Sequence, residues 1–322
     1  MRYKEFGKTG EKLSVLCLGT WVLGGKNFGA VPEKDAVAAV HAMVGNGVNF
    51  IDTAPIYAVG GSEEVLGKAL EGGYRDKVFL VSKFGSQFIN PFDTTEGTVK
   101  NSSRYNMLAF LHESLKRLKT DHLDAYLMHW PDGIGTPLEE TLACMLYMKE
   151  KGFVRFLGMS NLEAELADKL LAAGVLDIVQ YPYSMVNRSK EGLLKRYSAA
   201  GCGTMGYASL GGGILTGQFR ELPKFDPTDM RSAFYGPMFK EPGFSQIQQL
   251  LKVMDGIASA HNNVPLAQIA INWGLAHDHL HTALTGVRNA AEANENCAAA
   301  DWELSADEKA ALDAAIARLT IY

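Results

Sequence analysis

Short apolar runs that end in a polar residue recur along this chain. Residues 48–51 (Val-Asn-Phe-Ile) run into Asp52, residues 78–81 into Ser82-Lys83, and residues 124–128 into His129. The form returns at residues 154–158 before Ser160-Asn161, at 177–179 before Gln180, and at 203–206 before Tyr207. Each run has the length of a buried strand. Between the runs, apolar positions step at helical spacing. In residues 33–44 they fall at Ala36, Val37, Val40, Met43 and Val44, and Gly45-Asn46-Gly47 ends the pattern. Further helices are expected at 63–70 with Ser62 as N-cap, 106–118, 163–173, 190–199, 245–261, 265–276 and 290–299. Another opens at Thr136-Pro137-Leu138-Glu139, with Thr136 as N-cap, Pro137 at the first position and Glu139 at the third. A last helix starts from the capping box Ser305-Ala306-Asp307-Glu308 and runs to Leu319.

Two segments at the start, residues 3–6 and 13–15, flank Gly7-Lys8-Thr9-Gly10 and read as a β-hairpin. Counting the apolar stretch near Val15 and the one at 282–284 gives eight strands after the hairpin, each followed by a helix or a long loop. Eight such units in sequence point to one closed (β/α)8 TIM barrel of class α/β, with an N-terminal hairpin and an extra C-terminal helix. A doubly wound open sheet is the alternative, and it normally uses fewer strands per domain. No linker or low-complexity boundary interrupts residues 1–322, so the chain is read as a single domain. The loops at 84–105 and 218–244 are long for such a domain and lie on the face where barrel active sites form.

Composition narrows the function classes. The chain is 47% hydrophobic, enough for a large core, and its net charge of −5 gives no electrostatic reason to expect nucleic acid. No apolar run is long enough to span a bilayer, and no signal-peptide pattern is present. Cys17, Cys144, Cys202 and Cys297 are scattered and read as free thiols, which favours a cytoplasmic protein. His277, His279 and His281 alternate like metal ligands, but they precede the last strand and so belong at the opposite face; no metal is expected. Residues 61–69 superficially resemble a P-loop, but the glycine spacing is one residue too long and Ala69 has no hydroxyl.

In a parallel barrel the strand C-termini open on one rim, so Asp52, Lys83 and His129 point into one space, with Tyr57 on the loop beyond Asp52. Lys83 can neutralise Asp52, whose charge at the exit of a buried strand needs a partner. A lysine beside a phenol also favours the phenolate, and on that ground Tyr57 is expected to have a lowered pKa and to donate a proton near neutrality. His129 can hydrogen-bond the same substrate oxygen. The set suits protonation of a carbonyl oxygen as hydride reaches carbon.

The chain resembles the aldo-keto reductases. The resemblance rests on Gly45-Asn46-Gly47-Val48-Asn49-Phe50-Ile51-Asp52-Thr53-Ala54-Pro55-Ile56-Tyr57, Val81-Ser82-Lys83, Leu127-Met128-His129-Trp130-Pro131-Asp132, Gly158-Met159-Ser160-Asn161 and Leu210-Gly211-Gly212-Gly213-Ile214-Leu215-Thr216-Gly217. It implies a catalytic tetrad of Asp52, Tyr57, Lys83 and His129, with Tyr57 as general acid/base. It implies a nicotinamide dinucleotide cofactor, NADPH by family default, and a small carbonyl or alcohol substrate. Ser160, Asn161 and Gln180 match the positions that hold the nicotinamide carboxamide, and Tyr207 the aromatic that stacks on its ring. Leu210, Gly211, Gly213, Leu215 and Gly217 belong to the loop that covers the pyrophosphate. Gly286, Arg288, Asn289, Glu292, Glu295 and Asn296 align with the segment that grips the adenosine end. Arg288 and Asn289 suit a 2′-phosphate, but Glu292 stands where many NADPH users carry Arg or Gln, so use of NADH is also expected. Trp21, Phe84, Phe88 and Trp130, with Tyr57, are expected to wall the substrate site. After the final helix only Thr320-Ile321-Tyr322 remain, without the long C-terminal substrate loop of some members, which implies a more open site. Two other classes stay open. One is a cofactor-sensing regulatory subunit on the same fold, as some members are with ion channels; the other is a metal-dependent barrel hydrolase. Oligomeric state, substrate and reaction direction are not encoded in these patterns.

Overall fold

A computed structural model describes residues 1–24, 29–226 and 229–321. In chain order the strands are β1 (Tyr3–Glu5), β2 (Lys12–Ser14), β3 (Leu16–Gly19), β4 (Phe50–Asp52), β5 (Phe79–Phe84), β6 (Ser86–Phe88), β7 (Thr98–Lys100), β8 (Leu123–Met128), β9 (Val154–Ser160), β10 (Ile178–Pro182), β11 (Gly203–Tyr207) and β12 (Thr282–Thr285). The helices are α1 (Glu33–Gly45), α2 (Gly61–Ala69), α3 (Arg104–Leu118), α4 (Leu138–Glu150), α5 (Ala164–Ala172), α6 (Glu191–Ala199), α7 (Met230–Phe234), α8 (Gly243–Ala260), α9 (Leu266–Leu275), α10 (Ala290–Cys297) and α11 (Ala306–Ile316). The parallel strands β3-β4-β5-β8-β9-β10-β11-β12 close into a barrel, the (β/α)8 fold that the alternation predicts.

Strand parity sorts the core into two shells. Inward positions form one cluster: Cys17, Phe50, Phe79, Val81, Ala125, Leu127, Ile178, Met205 and Leu284. Outward positions such as Leu16, Ile51, Leu80, Tyr126, Leu157, Val179 and Tyr181 join the helices in the larger cluster. The hairpin β1–β2 caps the N-terminal end. Its Phe6 enters the inner cluster and meets Phe50 edge-on at 5.1 Å. That end is closed by packing, which leaves the opposite rim for chemistry.

Several local expectations need correction. Ser62 is not an N-cap: Gly60, in left-handed conformation, precedes α2, and Ser62 lies inside the helix. The turn through Ala58, Val59 and Gly60 feeds the chain straight into α2. Thr136 does not cap α4 either. Its hydroxyl donates to Asp132 Oδ1 at 2.9 Å, and Pro137 takes the cap position before Leu138. Asp132 also accepts from the amides of Ser102, Ile134 and Thr136, so it organises the turn that the threonine was expected to open. The capping box at Ser305 is present as read from the sequence. The two long loops carry structure of their own: β6 and β7 pair as a hairpin in the first, and α7 sits in the second. Among the described residues no helix is long and apolar enough to cross a membrane.

Candidate active site

Six barrel strands deliver a polar or aromatic side chain two residues beyond an inward core position. Asp52 follows Phe50, Lys83 follows Val81, His129 follows Leu127, Ser160 follows Gly158, Gln180 follows Ile178 and Tyr207 follows Met205. Because side chains alternate with period two, all six face into the barrel mouth. The top inward layer is therefore polar over an apolar one.

Lys83 is the hub of that layer. It is fully buried, and an ammonium so placed must satisfy three N–H donors. It donates to Asp52 Oδ1 at 2.7 Å, to the Thr53 carbonyl at 2.9 Å and to the Tyr57 hydroxyl oxygen at 3.3 Å. Tyr57 accepts from Lys83, so its own proton points elsewhere. The second oxygen of Asp52 accepts from Gln180 Nε2 at 2.8 Å. From there the chain of bonds continues: Ser160 Oγ donates to Gln180 Oε1 at 3.2 Å, Asn161 Nδ2 to Ser160 Oγ at 3.0 Å, and the Tyr207 hydroxyl to Asn161 Oδ1 at 2.7 Å. Asn161 also donates to the His129 carbonyl at 3.0 Å, and its left-handed φ of 61° turns the amide back over the rim. One hydrogen-bonded path thus joins Tyr57 to Tyr207.

The electrostatics correct one expectation. Tyr57 is not lowered: burial, then the charge of Asp52 and the proximity of Cys17, push its phenol well above the ordinary value. The Lys83 contact is offset by desolvation, which the sequence reading left out. The phenol is therefore neutral and proton-bearing at pH 7. Burial, helped by the positive charges of Lys83 and Lys100, holds His129 well below the usual imidazole value, so it is neutral too. Its ring lies edge-on to Tyr57 at 5.9 Å.

The glycine-rich segment, residues 211–216, forms a kinked turn of two short 3-10 pieces, with Gly212 and Gly213 at non-helical φ of 68° and 96°. Gly211 and Gly212 have positive φ, and a Cβ on either would lie 2.7 Å from Val186 or 2.8 Å from Tyr235. Packing against those side chains, as much as any ligand, requires glycine there. Leu215 is buried beneath the turn and Gly217, with φ of 77°, closes it. In the segment expected to grip the adenosine end, Asn289 caps α10, accepting from the Glu292 amide at 2.9 Å. Glu292 in turn binds the Arg288 amide at 2.9 Å and the guanidinium at 2.7 Å. Arg288 and Glu292 thus neutralise each other beside Gly286. Glu295 is exposed and Asn296 buried, one residue apart on the same helix.

Comparison with known proteins agrees with this geometry. Residues 15–317 match the Aldo/keto reductase family. The chain belongs to the aldo-keto reductases. It is 32% identical over 311 residues to aldo-keto reductase YhdN of Bacillus subtilis, covering 96% of this chain and 92% of that one. It is 31% identical to a probable voltage-gated potassium channel subunit beta of Arabidopsis thaliana (94% and 92% covered) and 29% identical to an NADH-specific methylglyoxal reductase of Escherichia coli (95% of each). Among solved structures, a glycerol dehydrogenase from Gluconobacter oxydans superposes with a TM-score of 0.88 at 28% identity, covering 99% of this chain and 96% of that one. This reductase is accordingly an NAD(P)H-dependent oxidoreductase acting on small carbonyl or alcohol molecules.

Of the expected substrate walls, Phe84 is misplaced. It is fully buried and packs on Tyr126 at 5.1 Å in the outer shell. Lys83 faces inward, so the next residue on the strand must face the helices. Trp21 stacks on Tyr57 at 6.1 Å, and Trp130 on His129 at 6.3 Å. Phe88 is half-buried in the β6–β7 hairpin, whose Lys100 lies over the Trp130 ring at 5.6 Å. The sequence reading overlooked Phe234. It is half-exposed on α7 and meets Trp21 edge-on at 5.3 Å, extending the aromatic wall above Tyr57. His281 lies by Phe6 at the closed end, and among the described residues no group of three metal-ligating side chains is poised for an ion. A cavity of ≈520 Å³ lined by Arg188, Glu191, Trp273 and His277 lies elsewhere and includes none of the tetrad.

Proposed function

We infer that this reductase interconverts aldehydes or ketones and alcohols, with Tyr57 as general acid/base and Asp52, Lys83 and His129 supporting it. The single observation behind the assignment is the saturation of Lys83. With its three donors committed, one to the Tyr57 oxygen, the phenol proton is directed away from lysine and toward the mouth. Tyr57 in its neutral form can give that proton to a carbonyl oxygen, and neutral His129 is a second donor that orients the same oxygen. Lys83 then stabilises the phenolate left behind.

Nicotinamide cofactor, when bound, supplies the hydride. Ser160, Asn161 and Gln180 present the mixed donors and acceptors that a carboxamide needs, and Tyr207 offers a ring face beside them. Leu210 to Gly217 cover the pyrophosphate in this reading, and Gly286 to Asn296 the adenosine end. NADH is used at least as well as NADPH, because Glu292 takes the charge of Arg288 and faces a free ribose hydroxyl better than a phosphate. Trp21, Phe88, Trp130 and Phe234 wall the substrate site. The four buried free thiols fit a reducing, cytoplasmic setting.

The likeness to a potassium channel subunit supports a second reading, a cofactor-binding regulatory subunit. A panel of aldehydes, ketones and alcohols followed at the nicotinamide absorbance, with NADH and NADPH in parallel, separates the two. Turnover above the uncatalysed rate supports the enzyme. Tight cofactor binding with no turnover on any substrate supports the regulatory subunit.

A further inference from the structure

Tyr57 enters a strained turn. Ala58, Val59 and Gly60, the next three residues, are all left-handed, with φ of 51°, 59° and 89°. A β-branched residue in that region is a genuine outlier and persists only where its surroundings hold it. The holding contacts come from outside the barrel. A Cβ on Gly60 would lie 3.0 Å from Arg117 Cδ and Nε, so the arginine from α3 lies flat against the turn. Arg117 grips Glu63 Oε2 through Nε at 2.8 Å and Nη2 at 2.7 Å. The other oxygen, Oε1, accepts from Ser82 Oγ at 2.7 Å, and Ser82 is the neighbour of Lys83 on β5. Glu63 is fully buried. A carboxylate placed there needs both partners, and the two partners belong to opposite ends of the Lys83–Tyr57 contact.

Resting on the reading of Tyr57 as proton donor, we propose that Glu63 and Arg117 are positioning residues for that donor. Their ion pair sets the height of the Tyr57 turn against β5, and with it the 3.3 Å separation of Lys83 Nζ and the phenol. Neither residue reaches the barrel mouth. Their effect passes through the backbone of residues 58–60 on one side and through Ser82 on the other. The stretch that superficially resembles a phosphate-binding loop is, in this account, the anchor of the acid.

Displacing a reacting group by about 1 Å costs about 100-fold in rate, which sets the scale. Glu63→Gln keeps the shape and removes the charge; its kcat should fall about 10- to 100-fold, with the dissociation constant for NADH within twofold of wild type. Arg117→Lys, which keeps charge but not the fork, should fall less. The decisive measurement is a double-mutant cycle. In the Tyr57→Phe background, Glu63→Gln should bring no further loss in the residual rate, because the donor it positions is gone. Multiplying losses would overturn the proposal in favour of a merely structural role, as would wild-type kcat in both single variants. Should Glu63→Gln fail to fold by circular dichroism, Arg117→Lys and Ser82→Ala carry the same cycle. Full activity of Tyr57→Phe alone would instead refute the underlying assignment.

Discussion

Replacing Lys83 with Met removes one half of a buried ion pair and leaves the other in place. Asp52 would keep only the Gln180 Nε2 contact at 2.8 Å, with 2% of its surface exposed. Removing one partner of a buried pair typically costs about 3–5 kcal/mol, because the remaining charge is desolvated and uncompensated. For a protein of this size that corresponds to a drop in Tm of roughly 4–8 °C. The penalty belongs to the stranded carboxylate and not to the lost lysine stem, so the Lys83→Met/Asp52→Asn double variant should recover most of the loss. The assay is a calorimetric or fluorescence melt of wild type, both singles and the double variant at pH 7. A Lys83→Met protein melting within 2 °C of wild type at pH 7, about 1 kcal/mol or less, would refute the claim that the pair is mutually dependent.

Other expectations follow from named contacts. Glu292→Gln frees Arg288 from an exposed pair worth only about 0.3–0.5 kcal/mol, so affinity for NADPH should rise relative to NADH; the idea fails if wild type already binds NADPH at least tenfold tighter and the variant leaves that ratio unchanged. Phe234→Ala should raise KM for bulky or aromatic carbonyls while leaving cofactor Kd within twofold, since Phe234 meets Trp21 edge-on at 5.3 Å above Tyr57; equal KM values across the substrate panel would contradict this. Burial lowers His279 and His281 from 6.5 to about 4, so the unfolded chain takes up their protons first as pH falls. Stability should therefore decline from about pH 6.5 toward pH 4, and His279→Gln should weaken that acid limb; a melting temperature flat over this range would count against it.

The barrel was legible because its evidence is periodic: eight apolar runs separated by helical patterns constrain topology strongly. The layout of the candidate site was legible for a related reason, since six of the runs lead into the polar or aromatic residues that meet at the rim. Phe84 shows what was neglected, because counting two residues back from Lys83 to Val81 already assigns it to the outer face. Ser62 and Thr136 failed as caps because competing partners act there, a left-handed turn before α2 and the Asp132 carboxylate before α4. Tyr57 was expected to be lowered because a neighbouring charge can be read from sequence, whereas the desolvation that outweighs it depends on the assembled core. The Glu63–Arg117–Ser82 cluster joins three elements distant in sequence, and no local pattern announces it. Phe234 lies on a short helix inside a long loop, where periodicity gives no signal.

The central claim is that Tyr57 carries the proton. Its test is the pH dependence of both reaction directions in wild type and Tyr57→Phe. The raised phenol predicts reduction rates flat through neutrality that fall only at alkaline pH, and oxidation rates that climb with pH as the phenolate forms. Tyr57→Phe should lose about 100- to 10,000-fold in kcat for both directions, with NADH affinity retained. A variant that turns over at the wild-type rate, or that keeps the wild-type pH profile, would contradict the account.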